Sequence, residues 1–190
     1  MKHRLHRRLL ACAAVLALFG AGLAAAQSGP YAGQQDRAIK SLSQAEVDEL
    51  LAGQGMGLAK AAELNGYPGP AHVLEHAEAL QLTPEQRRAT QSLLHSHKER
   101  ARALGADVVD AERALDHAFA SGQVDAGRLP KLTADVGARQ ARLREEHLRT
   151  HLEQTALLSA EQSRAYAELR GYASGPAPAG PPDRHHRKHH

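Results

Sequence analysis

From Leu94 to Ala118 the inward-type positions are Leu94, His97, Ala101, Leu104, Val108, Ala111, Leu115 and Ala118, separated by alternating steps of three and four residues. Steps of three and four keep a stripe on one face of an α-helix, whereas a strand needs alternation every two residues. The stripe is narrow and resembles a coiled-coil seam, so this helix must lie against another one. Its start is written in "TPEQ". Thr83 can cap, Pro84 sits at the first helical position where a missing N–H costs nothing, and Gln86 can reach back to close a capping box. The spacing predicts a helix to about Ser121, about 38 residues and roughly 57 Å long.

The partner follows in the chain. "SGQVDAG" after Ala120 supplies a turn, and Leu129, Leu132, Val136, Leu143, Leu148 and Leu152 mark a second long helix, with Pro130 either near its first turn or marking a kink. The two helices are expected to form an antiparallel hairpin. "LLSAEQ" then repeats the corner with Ser159 as cap and Gln162 closing it, before a short helix carrying Ala165, Tyr166 and Leu169 to Gly171. On the other side, Ser43 and Glu46 begin a helix whose apolar face runs intermittently through Val47, Leu50, Leu51, Leu58, Ala62 and Leu64 until "NGYPGP" stops it. "GQGMG" at 53–57 has no preceding strand and fits no phosphate-loop spacing, so it reads as a flexible or kinked segment of that helix. A further helix is expected from Pro70 to Leu82. An Ala- and Leu-rich chain with no Trp and two Phe points the same way, to an all-α fold with thin seams.

The ends have a different character. MKHRLHRR followed by an apolar run from Leu9 to Leu23 and small residues at Ala24 and Ala26 is the pattern of a cleavable secretory signal, giving an expected mature start at Gln27. The apolar run is short for a membrane span and no second one follows, so the expected product is exported without a stable membrane span. In "LLAC" the apolar region follows Cys12 instead of preceding it, which argues against a lipid anchor. Removing the leader takes four of the 24 basic residues and leaves 20 against 21 acidic ones, turning a net charge of +3 into −1. A nucleic-acid partner is excluded on that balance. Cys12, the single cysteine, leaves with the leader, so the mature chain has no disulfide and no thiolate ligand. The expected organisation is a signal peptide at 1–26, a flexible segment at 27–42, a helical domain at 43–172 and a disordered Pro/Gly/His-rich tail at 173–190. An enzyme is not expected, since no nucleophile elbow, phosphate loop or paired-carboxylate cleft is evident.

Two stretches share one frame, "HVLEHAEALQLTPEQ" from His72 and "HLRTHLEQTALLSAEQ" from His147: two histidines four apart, an apolar stretch, then a capped corner. Of 13 histidines, His3 and His6 belong to the leader, four to the tail and seven to the helical body. If the hairpin turns near 123 and 124, residues at equal height have numbers summing to about 247, because both helices rise equally per residue. His97 then faces residue 150, between His147 and His151, and His72 and His76 come near the heights of residues 93 and 89. Histidines four apart on a helix share a face and suit two ligands on one divalent ion. The candidate metal ligands are therefore His72, His76, His97, His147 and His151, with His95 as an alternative and Glu75 or Glu146 nearby. Nitrogen ligands with carboxylates suit Zn(II), Ni(II), Co(II) or Cu(II), and Met56 as the one mature Met argues against Cu(I). His185, His186, His189 and His190 could capture metal loosely.

Leu82-Thr83-Pro84-Glu85-Gln86 and Leu158-Ser159-Ala160-Glu161-Gln162 resemble the paired LTxxQ motifs of the Spy/CpxP family of small periplasmic helical proteins, with Ser159 in place of Thr in the second. The resemblance covers Ser43 to Gly171. It implies a helical hairpin with flanking helices, a homodimer forming a curved cradle, and one of two roles. The first is ATP-independent holding of unfolded periplasmic proteins; the second is heavy-metal sensing or zinc, nickel or cobalt buffering with a signalling partner. The His72/His76 and His147/His151 pairs resemble the helical ligand pairs of the metal-sensing branch, in which Met often stands where this chain has His151. Sensors of that branch are commonly membrane-anchored, so a cleavable leader favours the chaperone-like branch.

Overall fold

The computed structural model describes residues 29–172; the leader, the start at Gln27 and the tail from 173 lie outside the described residues. Two compact units divide the chain after Gly33. In the first, residues 29–33 make a turn in which the Ala32 N–H donates to the Gly29 carbonyl at 2.9 Å. The second carries six helices: α1 (Gln44–Leu51), α2 (Lys60–Glu63), α3 (Pro70–Glu75), α4 (Pro84–Ala120), α5 (Leu129–Ala156) and α6 (Ala160–Leu169). No strand occurs among the described residues, and the fold is all-α. No described helix is long and apolar enough to cross a membrane.

Three of the helices start with the chemistry read from the sequence. Ser43, Thr83 and Ser159 each accept the N–H of the third helical residue, and Glu46, Gln86 and Gln162 each reach back to the cap's own N–H. The long pair α4 and α5 runs antiparallel, because contacts climb one helix as they descend the other. Thr90 meets Gln154, His97 meets Thr150 and Glu146, and Glu112 meets Gln140. Pro130 lies in the first turn of α5 and leaves the helix unbroken.

The two corners are joined to each other. Gln86 Nε2 donates to Gln162 Oε1 at 2.8 Å and to the Leu157 carbonyl at 2.9 Å, while Gln162 Nε2 donates to Gln86 Oε1 at 3.0 Å and to the Leu80 carbonyl at 3.1 Å. Each Oε1 also accepts its own cap's N–H. Every donor and acceptor of both amides is used, so the repeated phrase is two halves of one clasp.

The N-terminal half of the fold departs from the expected single kinked helix. Gly53, Met56 and Gly57 all have positive φ, which ends α1 and leaves α2 as one separate turn. α3 likewise stops at Glu75 instead of Leu82. Gln81 is in the left-handed region, and the Leu82 N–H turns back to the Ala77 carbonyl at 3.0 Å. Residues 34–42, expected as flexible, are seated on α4. Ile39 is 3% exposed in an apolar cluster with Leu50, Ala101, Val108, Val109 and Leu143. Ser41 Oγ donates to Glu112 at 2.8 Å, and the Lys40 N–H and Nζ reach Asp116 at 3.0 and 3.3 Å. α1 comes so close to α4 that a Cβ built on Gly105 would lie 2.1 Å from the Leu50 carbonyl oxygen. A second apolar cluster, Val73, Leu80 and Tyr166, ties α3 and α6 together near the clasp.

Candidate metal centre

Between the two apolar clusters the α4–α5 seam turns polar. His97 from α4 and His147 from α5 meet edge to face, ring centroids 4.8 Å apart, and both are buried. Equal helical rise puts residue 150 opposite His97, and Thr150 Oγ1 lies 2.9 Å from His97 Nδ1. Glu146, also buried, puts Oε1 at 3.2 Å from the same nitrogen and accepts from Arg100 Nε at 2.9 Å. Burial pushes the Glu146 carboxyl up, but hydrogen bonds from His97 and Arg100 outweigh it and hold the group below the ordinary carboxylate range. Burial also lowers the His97 pKa, against the pull of Glu146. An ionised carboxylate beside a neutral ring fixes the proton on Nδ1, which leaves the other ring nitrogen of His97 with its lone pair.

His147 is the less satisfied ring. Its Nε2 is buried with no hydrogen-bond partner, and burial, followed by the neighbouring His97, brings its pKa down to about 4. At neutral pH it is therefore an uncharged imidazole in a buried seam.

One turn further along α5, His151 faces the segment between α2 and α3. Its Nδ1 lies 2.8 Å from the Tyr67 carbonyl and 3.6 Å from Glu63 Oε2. The other candidates lie elsewhere. His72 pairs with Glu75 at 2.7 Å on a partly exposed face of α3. His76 is the half-buried residue that ends α3, and His95 is exposed beside Glu99. Among the described residues no three His, Cys, Asp or Glu side chains are grouped so as to hold a metal ion, so the five histidines are not gathered into one chelate. The tail histidines lie outside the described residues.

The donor chemistry nonetheless suits a divalent ion. A buried imidazole nitrogen without a partner stands against a second imidazole whose other nitrogen is held by a carboxylate, the usual support for a histidine ligand. The surrounding support, Arg100, Thr150, Glu63 and Tyr67, is not among the residues singled out from the sequence. Thr150 had a signal, since it is residue 150 itself. Glu63 and Tyr67 had none, because nothing local ties residues 63–69 to α5.

A family model for heavy-metal resistance matches residues 11–165. No curated protein and no solved structure matches the chain.

Proposed function

This chain belongs to the heavy-metal resistance family, the Spy/CpxP-like LTxxQ proteins, and from that premise we propose that it is a periplasmic binding protein, not an enzyme, that captures a divalent heavy-metal ion at the imidazoles between α4 and α5. The observation that carries this reading is the partnerless, buried Nε2 of His147 in contact with His97. A buried polar atom left unpaired costs about 1–3 kcal/mol, which a fold avoids unless the atom has another use. His97 and His147, in ring contact, are the pair that would hold the ion, with Glu146 orienting His97; His151, one turn along α5 and not grouped with them among the described residues, would join as a third ligand only once metal draws the seam together. Zn(II), Ni(II), Co(II) and Cu(II) all accept imidazole nitrogen and would supply a bond between the two long helices. His72 and His76, on the partly exposed face of α3, are a separate surface pair in this reading.

Calorimetric titration with zinc chloride, on protein whose four tail histidines are replaced by serine, tests it. His147→Ala is expected to weaken binding at least tenfold, whereas His72→Ala leaves it within twofold. Equal affinity in the parent and His147→Ala would remove the seam from consideration.

Large apolar side chains left at the surface support a second reading, the holding of unfolded clients without nucleotide. Leu64 is 58% and Leu152 56% exposed, and Leu51 and Leu169 are exposed as well. Single exposed apolar residues are ordinary, so the test must be direct. The protein is expected to delay aggregation of a chemically denatured client in the absence of ATP. Aggregation at the control rate under stoichiometric excess of the protein, with and without zinc, eliminates this role. A homodimer and a signalling partner would belong to either reading.

A further inference from the structure

We propose that the Tyr166 hydroxyl is a positioning group for His151, holding the segment that sets which nitrogen of that ring is free; this rests on the metal-binding reading above. His151 Nδ1 lies 2.8 Å from the Tyr67 carbonyl oxygen. A carbonyl oxygen has no proton to give, so Nδ1 donates, and in the neutral ring Nε2 keeps its lone pair. The free edge of the ring then faces Gly69. A Cβ at that position would lie 2.9 Å from His151 Cε1, 3.2 Å from Nε2 and 3.5 Å from Glu63 Oε2, so a glycine is what leaves space along that edge.

The Tyr67–Gly69 stretch belongs to neither α2 nor α3, and something must keep it against α5. Tyr166 does so from α6. It is fully buried, its hydroxyl donates to Glu63 Oε1 at 2.5 Å, and the Gly69 N–H reaches that same hydroxyl at 3.5 Å. Burial, then the adjoining Glu63 carboxylate, pushes the phenol well above its usual range, so it stays protonated and remains a donor. Arg170 Nε lies 3.5 Å from the same Glu63 oxygen, an ion-pair distance without a hydrogen bond. One hydroxyl thus links the two residues that flank His151, although it touches neither the ring nor its free nitrogen. Groups that orient a histidine ligand from behind change metal affinity by about 10–100-fold when lost.

Tyr166→Phe in the full chain separates this role from packing, because the ring stays in its apolar cluster and only the hydroxyl goes. Nitrogen-15 NMR of the His151 imidazole reads the result residue by residue, whatever the tail histidines bind. In metal-free wild type the proton is expected on Nδ1 alone; in Tyr166→Phe, with helix content unchanged by circular dichroism, both tautomers are populated. On adding zinc chloride, the His151 Nε2 resonance of the variant is expected to respond only at roughly 10–100-fold higher zinc. A wild-type ring protonated on Nε2 overturns the proposal without any variant. So does a variant with the wild-type tautomer and a zinc response within twofold. A tautomer change in Tyr166→Phe with no zinc response at His151 in either protein would leave the positioning role standing and defeat the metal reading instead.

Discussion

Where α1 crosses α4, the α4–α5 pair is packed by Ile39, Leu50, Ala101, Val108, Val109 and Leu143, and Glu112, buried in that half, has both oxygens bonded, to Ser41 and Gln140. From one turn further toward the clasp the same seam is Thr90, His97, Glu146, His147, Thr150 and Gln154. Three buried side-chain atoms among the described residues lack a hydrogen-bond partner, His147 Nε2, Gln154 Oε1 and Arg170 Nε, and all lie in or beside this polar half. Continuous apolar contact gains stability with every methylene buried, whereas a polar seam must satisfy each atom to break even. The contrast teaches that the α1 crossing is held by apolar burial, whereas the polar stretch between the two apolar clusters carries buried polar atoms left without partners.

The largest effect expected from this difference is at Gly105. An added Cβ would meet the Leu50 carbonyl oxygen at 2.1 Å and its carbon at 2.8 Å, both backbone atoms that cannot rotate away. Gly105→Ala should therefore unseat α1 and lower stability by about 3 kcal/mol, at the severe end of overpacking. Gly137, exposed on α5 with nothing within 4 Å of a built Cβ, is the control. Gly137→Ala should stabilise by about 0.5–1 kcal/mol, the ordinary gain of removing a helix-interior glycine. Urea melts of the two variants check the pair. Similar midpoints would mean that α1 is not held at this crossing, and the apolar half would lose its distinction.

The next effect belongs to the polar half and appears with pH. His147 takes up its proton near pH 4 in the fold and near 6.5 when unfolded, and His97 is lowered in the same direction. Between those values the unfolded chain binds more protons, so stability is full above about pH 6.5 and falls as pH drops toward 4. The His147 part alone amounts to about 3 kcal/mol across the window, at 1.36 kcal/mol per pKa unit. Melts of chelator-treated protein from pH 7.5 to 4 check it. A midpoint that stays level over that range would show that the seam histidines are already solvated.

The two halves were unequally legible in the sequence. The long helices followed from steps of three and four between Leu94 and Ala118, and the corners from Thr83, Ser159 and their glutamines, since caps and seams are local patterns. His97 opposite residue 150 followed from helical rise once the turn was placed. The seating of Ile39 was hidden, because its pocket exists only after α1 and α4 have met. Met56 and Gln81 with positive φ were equally hidden, because neither is a glycine and that conformation is uncommon for other residues. The Glu63–Tyr166 bond joins positions 103 apart and leaves no periodic trace, so the support behind His151 could be found only in three dimensions.

The smallest expected change is the most direct test of why the polar half is polar. His147→Leu replaces a partnerless imidazole with an apolar side chain of comparable bulk, while His97 keeps its bonds to Glu146 and Thr150. Removing an unsatisfied buried group in favour of an apolar one is neutral or stabilising, here by about 1 kcal/mol. The acid sensitivity of the wild type should flatten in the same variant, because the group with the lowered pKa is gone. Zinc affinity should fall as it does in His147→Ala. A variant more stable in melts, less sensitive to acid and poorer in zinc would mean that the seam trades stability for an available lone pair. Destabilisation by more than about 1 kcal/mol would mean that His147 has a packing or hydrogen-bonding role of its own, and the two halves of the hairpin would then differ in chemistry without differing in purpose.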